Sequence, residues 1–162
     1  MEYPMTRKKA ESIFDAYLQE DMEKIMINTQ SFLDLCDNEY QMNAFLLAFI
    51  INFHQSDMGG HPTELITNLP NEIIHLILDA LDTVDADDVR VFFLKMIHLF
   101  PDGELPDDIE EKIRFIENIG EVDDSFEDII TELELEFNDL FTDSLKKKII
   151  AYIEANIDRF EN

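Results

Sequence analysis

The sequence predicts an all-α fold of about eight to nine helices. Apolar residues recur at i, i+3 and i+4 spacing in segment after segment, and no period-two alternation is long enough to indicate a sheet. A helix-pair pattern also occurs twice. Two architectures fit these observations: a HEAT-like helical-repeat array and an irregular α-bundle.

The repeated pattern begins with the same turn signal in both copies. Leu69 to Ile73 is matched 36 residues later by Leu105 to Ile109, and each stretch predicts a turn followed by an N-capped helix. The next boundary repeats at the same offset, with Asp85 to Asp88 matching Glu121 to Asp124. Recurrence of a helix pair at this length is typical of an α-solenoid.

The first third of the chain predicts three helices. Thr6 can cap a first helix, and a second begins near Asp21. Asp37 is the expected N-cap of a third, which is apolar on nearly all sides and therefore predicted to lie at the centre of the core. The apolar positions of this third helix are Tyr40, Leu47, Phe49, Ile50, Ile51 and Phe53.

A connector from Gln55 to His61 separates these helices from the repeated part. It contains Gly59 and Gly60, which break a helix, and Pro62 can only begin a new one. At 162 residues the chain is one domain, 1–162, with possible sub-units 1–56 and 62–162.

Six further helices are predicted beyond the connector. Pro101 to Gly103 ends the third of them, and Gly120 is expected to cap the fourth. The alternating stretch 132–137 keeps helical spacing at its flanks and is assigned to the fifth. The predicted spans are 63–68, 72–81, 89–100, 108–119, 126–141 and a final helix from Thr142.

Composition indicates a folded, acidic and cytoplasmic protein. The chain has 37 Asp and Glu against 12 Lys and Arg, a net charge of -25, yet 46% hydrophobic residues and 13 Phe argue against disorder. A single cysteine, Cys36, excludes an internal disulfide and fits a reducing compartment. The longest apolar run, Met42 to Phe53, is too short to span a membrane.

The acidity is concentrated. Pro101 to Asp143 contains 17 carboxylates, with only Lys112 and Arg114 opposing them, whereas Lys146 to Lys148 forms a local basic spot. Such a body repels nucleic acid, because phosphate contacts come from Lys and Arg. It attracts basic proteins, and we therefore expect a basic protein partner, with no direct nucleic-acid binding and no membrane association. The plain alternative is a solvated surface that maintains solubility.

No motif indicates catalysis, a cofactor or a metal. The four histidines form no HExxH or i, i+4 pair, and the acidic stretch from Asp79 to Asp88 lacks the glycine and final glutamate of a calcium loop. Helix capping by Asp85 and Asp87 explains that stretch better. With no phosphate loop and no nucleophile elbow, we expect no enzyme, no catalytic residue and no cofactor.

The helix predicted over 126–141 gives the sharpest hypothesis. Its apolar stripe leaves Leu135 almost opposite Phe126, among carboxylates. Leu135 is either an apolar anchor in an acidic interface or a packing residue against a neighbouring helix. The candidate partner-binding residues are Asp107, Asp108, Glu110, Glu111, Asp123, Asp124, Glu127, Asp128, Glu132, Leu135 and Asp139.

From Leu69 to Asn162, with the helix starts at Leu69–Glu72 and Leu105–Asp108, the chain resembles the small acidic, all-helical bacterial immunity proteins of contact-dependent inhibition and other polymorphic toxin systems. The resemblance implies an acidic face that docks on a basic toxin and covers the toxin's active face. In such systems the toxin is often a nuclease. Two other functions fit the sequence: a nucleic-acid mimic that inhibits restriction or CRISPR-type enzymes, and a general helical-repeat adaptor, whose binding would survive high salt.

Overall fold

The computed structural model describes residues 3–19, 34, 36–55, 62–122, 125–140 and 143–160. These residues form eight α-helices and two short 3₁₀ turns, without a strand, so the all-α prediction is confirmed. The predicted helix near Asp21 and positions 56–61 of the connector lie outside the described residues. The helices are α1 (Tyr3–Leu18), α2 (Glu39–Gln55), α3 (Pro62–Asn68), α4 (Asn71–Thr83), α5 (Asp87–Ile97), α6 (Ile109–Val122), α7 (Ser125–Leu140) and α8 (Asp143–Ala155), and the 3₁₀ turns are Pro101–Gly103 and Ile157–Arg159.

Helix α2 lies at the centre of the core, as its apolar pattern predicts. It packs against α1, α4 and α8, and every residue from Ala44 to Ile51 is buried. Its polar Asn43 is buried too and donates from Nδ2 to the Tyr152 hydroxyl of α8 at 3.2 Å. A helix that is apolar all round needs neighbours on several sides, and α2 has them.

The first and last helices of the chain pack against each other. Helix α1 contacts α8 and α2, while α3 contacts α5, α6 and α7, and α4 joins the two groups through α2 and α5. In an open helical array each repeat contacts only its neighbours. The α1–α8 contact is that of a closed bundle, which matches the irregular α-bundle of the two predicted architectures; the repeat stays a prediction.

Several predicted helix caps are wrong by a few residues. Asn38, not Asp37, caps α2, because its Oδ1 accepts a hydrogen bond from the Gln41 amide at 3.0 Å. Helix α1 already begins at Tyr3, so Thr6 lies inside it. Asp108 caps α6 by accepting from the Glu110 amide at 3.1 Å, as the second copy of the turn predicts. In the first copy no side chain caps α4.

Two predicted aspartate caps and one predicted helix end at a glycine also differ from the structure. Neither Asp85 nor Asp87 caps α5; Asp85 adopts a φ of 60°, a left-handed conformation that aspartate tolerates, just after the end of α4. Gly120 does not end α6, which continues to Val122 at the modest cost of an internal glycine. Gly103, with a φ of 69°, ends the 3₁₀ turn Pro101–Gly103, whereas helix α5 already ends at Ile97.

Candidate acidic docking face

Four of the candidate acidic residues surround the start of α6. Asp107, Asp108, Glu110 and Glu111 are all exposed. Asp108 is also the helix cap, so its carboxylate is already held by the Glu110 amide. Carboxylates in the first turn of a helix are stabilised by the positive end of the helix dipole. The acids here therefore have a structural benefit in addition to any role in binding.

Helix α7 carries six carboxylates and no lysine or arginine. Its inner face is fixed by Leu133 and Phe137, which are 5% and 3% exposed. The Phe137 ring stacks on Phe92 of α5 at 5.7 Å and meets Phe53 of α2 edge-on at 6.5 Å. These contacts orient α7, and its outer face presents three exposed candidate acids, Asp128, Glu132 and Asp139.

Leu135 lies on this outer face and is 62% exposed. At about 100° per residue it lies on the opposite side of α7 from Leu133 and Phe137, with Asp128 and Asp139 beside it. The alternative in which Leu135 packs against a neighbouring helix is therefore wrong. Its role as an apolar anchor for a partner stays a prediction.

Three candidate acids have no described position on this face, and one apolar residue of α7 is exposed. Asp123 and Asp124 lie outside the described residues, as does the side chain of Glu127. Ile129, which helical periodicity places on the apolar stripe of α7, is 39% exposed. It lies at the edge of that stripe, about 60° from its centre, so α5 and α6 do not cover it.

Sequence reasoning missed an ion pair between α5 and α7. Lys95 Nζ lies 3.0 Å from Glu136 Oε1 and 3.2 Å from Oε2, and both side chains reach solvent. Val91, one helical turn before Lys95, is 47% exposed. Helical periodicity places Val91 and Lys95 on one side of α5, but only the packing of α5 on α7 brings Lys95 beside Glu136.

Lys112, one of the two cations in the acidic segment from Pro101 to Asp143, is fully buried and so does not lie on the acidic surface. Its Nζ donates to the Leu69 carbonyl at 2.7 Å and to Asn71 Oδ1 at 2.8 Å. Burial lowers the pKa of Lys112 to about 8. A signal was present, since Lys112 follows Ile109 by three residues and precedes Ile116 by four, on the apolar side of α6.

A mixed-charge groove lies between α1 and α8, in the other half of the bundle. It has a volume of about 280 Å³ and is lined by Arg7, Glu11, Asp15, Lys146, Lys147 and Ile150. The Arg7 guanidinium pairs with Glu11 at 3.4 Å. Lys148 donates to the Asp85 carbonyl at 3.0 Å, and Lys146 lies over the Phe14 ring. The basic spot of the sequence therefore makes contacts within the chain.

Cys36, His75 and His98 are the described cysteine and histidine side chains of the chain. Burial and the neighbouring Asp37 raise the pKa of the Cys36 thiol to about 11, which disfavours the reactive thiolate. His75 and His98 are both exposed on separate helical segments. Within the part of the chain that the structure describes, no three His, Cys, Asp or Glu side chains cluster in a way that could hold a metal ion.

Among the described residues, no helix combines the length and the apolar character that crossing a membrane requires.

Comparisons of the chain with protein-family models, with curated proteins and with solved structures gave no match.

Proposed function

We propose that this protein is an acidic inhibitor that binds a basic partner protein, in the manner of a bacterial immunity protein that neutralises its toxin by covering the toxin's active face. It acts in the cytoplasm and performs no catalysis of its own. The observation that carries the proposal is the 62% exposure of Leu135 at the margin of the carboxylate strip on the outer face of α7.

Neither the exposed leucine nor the acidic surface alone is sufficient to indicate a binding site. A single exposed leucine is common on soluble proteins, and a solvated acidic surface needs no partner. Here the leucine lies beside a strip of carboxylates on a helix that carries six acids and no cation. Interfaces are typically built as an apolar centre within a polar rim, and burying one leucine contributes about 1.5–3 kcal/mol.

The charge specifies the class of partner. The segment from Pro101 to Asp143 holds 17 carboxylates against two cations, which raises self-repulsion in the folded state. A basic partner relieves that repulsion, and complementary charge speeds association by roughly 10- to 1,000-fold. Proteins with strongly basic active faces are mostly those that act on nucleic acid, so a nuclease domain is the partner that fits best.

Affinity capture with paired variants tests the proposal. Wild type is compared with an Asp128→Asn/Glu132→Gln variant, using source-cell lysate together with secreted material and washes at low and high salt. The matched control is Asp79→Asn/Asp82→Asn, which removes the same charge from exposed positions on α4. We expect one basic protein to be retained by wild type and by the control, released by the α7 variant, and inhibited in its own activity by wild type.

Two other outcomes would overturn the proposal. Capture of many polymerases, nucleases and restriction enzymes would identify a nucleic-acid mimic. Capture that is indifferent to salt and equal for both variants would mean that the acidic face only keeps the protein in solution or that binding occurs through apolar contacts elsewhere.

A further inference from the structure

The outer face of α7 is bounded by apolar residues on both sides. At about 100° per residue, Asp128, Asp139 and Glu132 fall within about 40° of one another. Leu135 lies beyond Asp128 on one side, and Ile129 lies beyond Glu132 on the other, about 120° from Leu135. The structure exposes both, at 62% and 39%. The face therefore consists of a carboxylate strip with an apolar residue at each margin.

The margin at Ile129 faces α5, where the chain already supplies a cation. Glu136 lies between Glu132 and Ile129 on the helical wheel and receives both hydrogen bonds from Lys95. On α5, Val91, one helical turn before Lys95, is exposed as well. A basic group of the chain thus already pairs with a partly exposed carboxylate that lies next to Ile129 on the helical wheel.

The Lys95–Glu136 pair is easily opened. The Lys95 side chain is 53% exposed and that of Glu136 is 33% exposed. Ion pairs this accessible to solvent contribute little to stability, because water screens them and two long side chains lose freedom. A cation arriving from outside can therefore replace Lys95 on Glu136, and the displaced ammonium returns to water.

Building on the proposed function, we propose that Lys95 occupies in the free protein the place on Glu136 that a lysine or arginine of the basic partner takes in the complex. The partner segment is an amphipathic, basic one that lays apolar side chains on Ile129 and Leu135 and cations on the strip between them. Charge complementarity selects this occupant, since an acidic segment would be repelled by the strip and a purely apolar one would desolvate its carboxylates without supplying a cation.

A defined probe tests this exchange without the natural partner. The probe is a synthetic helical peptide with leucines on one face and lysines on the other, and its control has the same lysines with serine in place of leucine. Both are titrated by calorimetry against wild type, Lys95→Gln and Lys147→Gln. Lys147→Gln is the matched control, because it removes one exposed positive charge from α8 in the other half of the bundle.

We expect Lys95→Gln to bind the leucine–lysine peptide about 2- to 5-fold more tightly than Lys147→Gln does, as release of a surface ion pair allows. The gain should vanish in a Glu136→Gln background, and Ile129→Ser should weaken the leucine–lysine peptide without changing binding of the serine control. Equal affinities of the two lysine variants, weaker binding by Lys95→Gln, a gain that survives Glu136→Gln, or no binding of the peptide by wild type would each overturn the inference. The capture experiment decides the proposed function separately.

Discussion

Lys112 and Asn71 join the two copies of the repeated turn. The Lys112 ammonium donates to Asn71 Oδ1 at 2.8 Å, and the Asn71 amide donates in turn to the Pro106 carbonyl at 3.0 Å. Lys112 also holds the Leu69 carbonyl at 2.7 Å. The two Leu-Pro turns, 36 residues apart in sequence, are thus connected through one buried cation whose hydrogen-bond acceptors here are neutral.

The first prediction concerns Asn71. We expect Asn71→Ala to destabilise the protein by about 2–3 kcal/mol, because a buried ammonium loses an acceptor and the Pro106 carbonyl loses a donor. Urea unfolding measures the change. Asn118→Ala, an exposed substitution on α6, is the control and should stay within about 0.5 kcal/mol. An equal effect of the two variants would mean that the Asn71 hydrogen bonds carry no net stability.

The second prediction concerns the pH dependence of Lys112. Its pKa falls from an ordinary 10.5 to about 8 on folding, because burial disfavours the charged amine. Between these values the unfolded chain binds a proton that the folded chain has released, so this group makes stability rise with pH. Cys36 and Tyr17 act in the opposite sense, since burial raises their pKa values to about 11 and about 12.

Comparison with Lys112→Met isolates the lysine from those opposing groups. We expect the difference in unfolding free energy between wild type and Lys112→Met to shift toward wild type by up to about 3 kcal/mol from about pH 8 to pH 10.5. Urea titrations at several pH values in this window measure it. A difference that is constant with pH would show that Lys112 keeps its ordinary pKa in the folded chain.

The third prediction concerns Asn38, which ties the start of α2 to the end of the chain. Its Oδ1 caps α2, and its Nδ2 donates to the Arg159 carbonyl at 2.8 Å. Asn38→Ala should lower stability by about 1–2 kcal/mol, and Asn38→Ser should recover part of this loss, because serine restores the cap but not the link to Arg159. Thermal unfolding distinguishes them; equal melting temperatures for the two variants would contradict a capping role.

Helical periodicity was sufficient to predict the all-α class and the central position of α2. The run from Phe45 to Ile51 is apolar on every side, and only a helix enclosed by others can bury it. The outward position of Leu135 on α7 followed from the same periodicity. These features depend on local sequence, which is why they could be found without the structure.

Features that depend on packing between distant segments could not be predicted in this way. The α1–α8 contact, which closes the bundle, leaves no local signal. Lys95 and Glu136 are 41 residues apart in sequence and meet across the α5–α7 contact at which Phe92 stacks on Phe137. Lys112 lies on an apolar stripe, where a lysine is expected to extend toward solvent unless buried carbonyls are available. The carbonyl that accepts from Lys112 belongs to Leu69, in the turn before α4, and the sequence gives no sign of this contact.

Comparing two neighbouring leucines of α7 tests the claim that Leu135 anchors a basic partner. The captured basic protein is titrated against wild type and Leu135→Ala, with melting temperatures measured in parallel. Leu133→Ala, at a position only 5% exposed on the same helix, is the control for lost core packing. We expect it to lower the free energy of unfolding by about 2–5 kcal/mol. We predict that Leu135→Ala keeps the wild-type melting temperature and loses about tenfold or more in affinity. Wild-type affinity in Leu135→Ala, or a fall in its melting temperature comparable to that of Leu133→Ala, would contradict the claim.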